Sequence, residues 1–127
     1  MNGASVLLVD DEFFIASMVE DALTDAGFSV TCAASGDEAI ATLNAPDQNF
    51  AGLITDIRMP GDADGWDVAR HARDHQPAFP VVYMTGDSAI DWGANGVPNS
   101  VLIQKPFSTG QIVSAISMLL HDGTPNG

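Results

Sequence analysis

Ser5-Val6-Leu7-Leu8-Val9-Asp10-Asp11-Glu12 is the stretch on which the fold turns. Four consecutive apolar residues stop abruptly at three carboxylates. An apolar run this short and this continuous suits a strand buried on both faces of a parallel sheet. The period then changes. Phe14, Ile15, Met18, Val19, Ala22, Leu23 and Ala26 recur every three or four residues, the spacing of an amphipathic helix, and Gly27 supplies the stop.

The same alternation repeats along the chain. Phe28 to Ala33 reads as a second strand and Gly36 to Leu43 as a short helix, closed by Asn44-Ala45-Pro46-Asp47 because proline cannot continue it. Gly52 to Thr55 is a third apolar run, terminated by Asp56. The turn-rich loop Arg58 to Gly65 comes next, then a helix from Trp66 to His75 with Trp66, Val68, Ala69 and Ala72 facing inward. Pro80 to Met84 forms a fourth strand ending at Thr85. The helix after it must fit within Ser88 to Ala94, and Gly93, Gly96 and Pro98 leave it short or frayed. Val101 to Gln104 is the fifth strand, ending at Lys105. Ser108-Thr109-Gly110-Gln111 has capping-box spacing and opens a last helix with Ile112, Val113, Ile116, Leu119 and Leu120 inside. Five strand–helix units predict an α/β fold with a parallel sheet and helices on both faces, one domain over residues 1–121 and a disordered tail over residues 122–127.

Composition limits the function classes. The 127 residues suit one domain, and 46% hydrophobic content is enough for a core. Seventeen acidic side chains against four lysines plus arginines give a net charge of −13, which repels phosphate backbones and anionic lipid, so neither nucleic acid nor a membrane is an expected partner. Cys32, the lone cysteine, cannot form an internal disulfide, and no basic residue precedes the short apolar run near Met1. A soluble cytoplasmic module is expected, and Met1 with the short tail suggests a complete chain.

Ligands of open α/β sheets bind beyond the carboxyl ends of the strands. Here those ends carry Asp10 and Asp11, then Asp56, Thr85 and Lys105, the last being the only lysine in the chain. Singly, each has a structural reading: Asp10 or Asp11 as a helix cap, Asp56 as the start of a turn, Thr85 as a cap of the fourth helix. Together they bring three carboxylates, a hydroxyl and an ammonium to one edge. Carboxylates so close repel one another, a cost that a divalent cation removes, and an oxygen-only donor set favours Mg²⁺ over zinc.

With these residues in order, the sequence resembles the receiver domain of bacterial two-component response regulators across nearly its full length. The matching fragments are Val9-Asp10-Asp11-Glu12, Asp56 with Met59-Pro60 and Asp64-Gly65, Met84-Thr85-Gly86, and Lys105-Pro106-Phe107. The resemblance implies a flavodoxin-like, doubly wound (βα)5 fold with strand order 2-1-3-4-5. It implies that Asp56 accepts a phosphoryl group from a sensor histidine kinase or a histidine phosphotransfer protein. Mg²⁺ would be held by Asp10 (largely through water), Asp11, Asp56 and the backbone carbonyl of Arg58. Lys105 would pair with Asp56 and then with the phosphoryl group, and Thr85 would hydrogen-bond another phosphoryl oxygen. The Lys105–Pro106 peptide would be cis. Arg58 and Asp87 would tune dephosphorylation. Output would pass by contact with a downstream protein, the chain catalysing only its own phosphorylation and dephosphorylation.

Departures from the family pattern are also visible. Leu102 stands where members commonly carry the tyrosine or phenylalanine that switches with the threonine, and the loop after Asp56 holds one extra residue among Gly61, Asp62 and Ala63. The missing aromatic raises the alternative of a phosphate sink or shuttle, and a receiver cut from a hybrid kinase is a further one. A haloacid-dehalogenase-like phosphatase would need an aspartate where Arg58 stands. A flavodoxin-like electron carrier would need a phosphate-binding loop where Asp10-Asp11-Glu12 stands. His71, His75 and His121 read as scattered solvated histidines, and Cys32, without a basic neighbour, as an inert strand thiol.

Overall fold

The structure, a computed structural model, describes residues 4–86 and 91–122. The elements run β1 (Ser5–Val9), α1 (Phe13–Asp25), β2 (Ser29–Ala33), α2 (Gly36–Asn44), β3 (Gly52–Asp56), α3 (Gly65–His75), β4 (Val81–Thr85), α4 (Trp92–Asn95), β5 (Val101–Gln104) and α5 (Thr109–Asp122). All neighbouring strands are parallel, in the order β2-β1-β3-β4-β5. This is the doubly wound, flavodoxin-like arrangement expected from the sequence.

Side chains alternate across the sheet and build a core on each face. Leu7, Val9, Leu53, Val81 and Tyr83 meet Ala39 of α2 and Val68, Ala69 and Ala72 of α3. Val6, Leu8, Ile54, Val82 and Met84 meet Val19 and Leu23 of α1 and Ile112 and Ile116 of α5. Every residue of β3 and β4 is buried, which explains their unbroken apolar runs. The register pairs Val9 with Ala33 and with Thr55, Asp56 with Met84, and Thr85 with Gln104. The strands therefore finish nearly flush, and the residue next after each strand is delivered to one edge.

Local stops explain the boundaries. After α1 the chain takes a left-handed turn at Gly27 (φ 100°), and the Phe28 N–H returns to the Leu23 carbonyl at 3.0 Å. Asp64 caps α3, its side chain accepting from the Asp67 N–H at 3.0 Å while Asp67 reaches back to the Asp64 N–H at 3.1 Å. At α5 the Gln111 side chain accepts from the Ser108 N–H at 2.8 Å. That is the rearward half of the capping box read from the sequence.

Several details differ from the sequence reading. Phe14 and Met18, counted with the inward stripe of α1, are 81% and 54% exposed, because the helix buries only Val19 and Leu23 fully. Strand β2 begins at Ser29 rather than Phe28 and is mostly exposed, as an edge strand covered on one side only. Helix α4 is one turn, Trp92–Asn95, displaced towards the carboxyl side of the expected interval, whose residues 88–90 lie outside the described residues. The loop behind it is held by side chains. The Val97 N–H donates to Tyr83 Oη at 3.1 Å, Ser100 Oγ to the Val97 carbonyl at 2.7 Å, and Trp92 Nε1 to Ser100 Oγ at 3.0 Å. Arg73 donates to the carbonyls of Phe79 and Pro98, both at 2.6 Å. Helix α5 runs through Asp122, one residue past the expected domain end, and residues 123–127 of the expected tail lie outside the described residues.

Gly65 joins this scaffold to the edge where the strands end. Its N–H donates to the Ile57 carbonyl at 2.8 Å, and a Cβ there would meet the Asp56 carbonyl oxygen and lie 2.7 Å from Ile57 Cα. Backbone cannot yield as a flexible side chain can. Gly65→Ala is expected to lower stability by about 2–3 kcal/mol, read as a lower urea midpoint at unchanged m-value. An unshifted midpoint would show that the Asp56–Ile57 backbone moves freely.

Candidate functional site

The carboxyl edge of the sheet gathers the residues singled out from the sequence. Asp10 and Asp56 are 4% and 6% exposed and Thr85 is 1% exposed, while Asp11 stands in solvent beside them. One ligand oxygen from each of Asp10, Asp11 and Asp56 lies within 4.8 Å of the others. The Lys105 N–H donates to the Thr85 carbonyl at 2.7 Å, locking the ends of β4 and β5 together, and the Lys105–Pro106 peptide is cis as expected.

The two buried carboxylates are held differently. Asp56 Oδ1 accepts from the Ile57 N–H at 2.9 Å, and Oδ2 faces Lys105 Nζ at 3.4 Å. Asp10 Oδ1 accepts from the Glu12 N–H at 2.8 Å, a local turn bond rather than a helix cap, since Glu12 itself is the residue preceding α1. Asp10 Oδ2 is buried without a hydrogen-bond partner among the described residues. A buried carboxylate oxygen in that condition costs free energy unless it is protonated or ligates a cation.

Electrostatics reflect the geometry. Burial pushes the Asp10 carboxyl up to about 6, with the charge of Asp56 adding to the rise and the Glu12 N–H and Lys105 opposing it. Asp56 is also raised, chiefly by burial and in part by Asp11, against the lowering effect of Lys105 and the Ile57 N–H. For Lys105, burial acts downward, but its hydrogen bond to Glu12 and the charges of Asp56 and Asp10 outweigh it, so the ammonium is held above its ordinary value.

One partner was not read from the sequence as such. Lys105 Nζ lies 2.9 Å from Glu12 Oε1, closer than to Asp56, so the ammonium is shared between a buried and an exposed carboxylate. The signal was present in the sequence, since a lone lysine at an acidic strand edge has more than one anion within reach. Arg58 is exposed on the loop after β3, and Leu102 is half-buried on β5 in register with Tyr83. Asp87 lies outside the described residues. Cys32 is on the edge strand, its thiol held up at about 11 by burial of the sulfur and by Glu20, as suits an unreactive thiol. His71 and His75, read as scattered, come together on α3 with their ring centroids 4.9 Å apart.

A family model described as the response regulator receiver domain matches residues 6–117. The chain is 35% identical over 114 residues to the C4-dicarboxylate transport transcriptional regulatory protein DctD of Rhizobium meliloti, covering 87% of this chain and 24% of that protein. It is 34% identical over 119 residues to the probable transcriptional regulatory protein TcrX of Mycobacterium tuberculosis, covering 92% of this chain and 50% of that protein. A response regulator receiver protein from Sinorhizobium medicae WSM419 superposes with a TM-score of 0.90 at 44% identity, covering 94% of this chain and 95% of that one. The chain belongs to the receiver-domain family of two-component response regulators. It spans half or less of the length of these two curated relatives. No helix among the described residues is long and apolar enough to cross a membrane.

The raised Asp10 carboxyl has a signed consequence. Between about pH 4 and 6 the folded chain holds a proton at Asp10 that the unfolded chain has released, so this group's contribution to stability falls as pH rises through that window. In metal-free buffer at pH 7.5, Asp10→Asn is expected to be more stable than wild type by on the order of 1–2 kcal/mol, a gap that narrows below pH 5. Urea midpoints of both proteins at the two pH values test this, and a gap independent of pH would refute it.

Proposed function

We propose that this chain is a response regulator whose Asp56 takes a phosphoryl group from a phosphohistidine of a sensor histidine kinase or histidine phosphotransfer protein. The observation that carries this reading is the state of Asp56. It is a buried carboxylate with one oxygen fixed by a backbone N–H and the other facing the only lysine, beside two further carboxylates. In the transfer, a carboxylate oxygen of Asp56 bonds to phosphorus as the phosphorus–nitrogen bond of the donor breaks. The electron pair of that bond stays on the imidazole, which regains a proton. Such transfers depend on in-line positioning and on neutralising the equatorial oxygens, and the Lys105 ammonium stands where it can track the new charge. The Thr85 hydroxyl, at the end of β4, would hydrogen-bond a phosphoryl oxygen and report the modification to a downstream protein.

The donor set fits Mg²⁺. Asp10, Asp11, Asp56 and the Arg58 backbone carbonyl would hold it, the partnerless Asp10 oxygen gains a use, and the clustered donors are all carboxylate oxygens. When bound, the ion supplies the positive charge that neutralises the transferring phosphoryl oxygens. Arg58 and Asp87 would tune dephosphorylation, as the family pattern implies.

A second reading, a phosphate sink or shuttle, draws support from Leu102. It is half-buried against the core cluster that contains Tyr83, at the position where the family commonly has a switching aromatic. The target, the cognate kinase and a cytoplasmic location belong to this proposal as expectations.

Intact mass after incubation with acetyl phosphate and Mg²⁺ tests the central claim. Wild type should gain one phosphoryl group, Asp56→Asn none, and Lys105→Gln should be slower by at least about tenfold. A modified Asp56→Asn protein would sink the assignment. For dephosphorylation, Arg58→Ala and Asp87→Ala should each shorten the phosphorylated half-life severalfold, and unchanged half-lives in both would remove that role.

A further inference from the structure

His71 and His75 lie one turn apart on α3, and their imidazoles meet edge to face. Both aim at one atom of another helix. His71 Nε2 is 2.8 Å and His75 Nε2 is 3.2 Å from Oδ1 of Asn44, the last residue of α2. Stability alone does not demand this convergence, because Asn44 and His75 are exposed and His71 is half-buried, so water could satisfy all three.

The geometry points to a second metal site, and we propose that His71, His75 and Asn44 bind a divalent transition ion such as Zn²⁺, Ni²⁺ or Cu²⁺. Ligands about 2.0–2.2 Å from a shared ion, at tetrahedral or octahedral angles, stand about 2.8–3.5 Å apart. The two nitrogen–oxygen separations, 2.8 and 3.2 Å, already have that spacing. Two histidines at i and i+4 on one helix face are a recognised chelating pair, and the amide oxygen supplies a third donor from a separate element. Imidazole nitrogen suits zinc, nickel and copper, whereas Mg²⁺ takes oxygen and keeps its water. The chain would thus sort two classes of ion between two ends of the fold. Helix α3 starts at Gly65, against the Asp56 end of β3, and His75 is its last residue, so the histidines lie at the end remote from the carboxylates. A bound ion there ties the C-terminal ends of α2 and α3 together.

The experiment is a calorimetric Zn²⁺ titration of the full chain, with Mg²⁺ in large excess to cover the carboxylate edge. One saturable site is expected. His71→Ala and His75→Ala should each weaken it by at least about tenfold, Asn44→Ala should weaken it less, and Asp56→Asn should leave it unchanged. Absence of saturable Zn²⁺ binding, or binding lost in Asp56→Asn but kept in both histidine variants, would overturn the proposal. So would an affinity unchanged in Asn44→Ala. Because truncation could disturb the helix, Cu²⁺ bound to wild type supplies an independent reading by electron paramagnetic resonance. Hyperfine splitting from two imidazole nitrogens supports the site, and an all-oxygen signal refutes it.

Discussion

Like charge at one sheet edge is the constraint to which the rest of the molecule answers. Asp10, Asp11 and Asp56 repel one another, two of them are removed from water, and a single ammonium stands among them. Such an arrangement survives only on a scaffold that cannot relax away from it. The fully buried β3 and β4 provide that rigidity, as do the flush register of the strands and the close backbone approach at Gly65. The core on both faces therefore does more than stabilise a generic sheet. It supplies the free energy that keeps a strained electrostatic arrangement in place, a pattern common at functional sites.

Much of this was legible in the sequence because it is written in short-range signals. Apolar runs that stop at Asp10, Asp56, Thr85 and Lys105 locate the strand ends to within a residue, and the parallel topology then forces those ends onto one edge. Inward positions of α3 were equally readable, since Trp66, Val68, Ala69 and Ala72 are all buried. There the helix lies flat against a central part of the sheet, and a hydrophobic residue on the stripe has only one place to go.

Failures arose where burial depends on what else covers an element. Phe14 and Met18 belong to an apolar stripe wider than the face α1 buries, so periodicity assigned them to a core that does not reach them. The edge position of β2 exposes Cys32 and Thr31, which strand composition does not announce. The turn residues around Gly96 and Pro98 explain why α4 is short, but not how the loop after it is secured. That depends on contacts of Arg73 and Tyr83 from two other places in the chain, together with Ser100 within the loop. The pairing of Lys105 with Glu12, and of His71 and His75 with Asn44, spans 93, 27 and 31 residues, distances over which local pattern carries no information.

Having one lysine has a consequence for how the molecule can be observed. Reagents that acylate amines have the chain's α-amino group and the Lys105 ammonium as their targets, and the latter is 19% exposed and engaged by two carboxylates. The rate at which that amine is acylated therefore reads the strength of one ion-pair arrangement, without background from other side chains. In this chain a natural reporter group sits at the charge cluster itself, and introducing a foreign probe there is unnecessary.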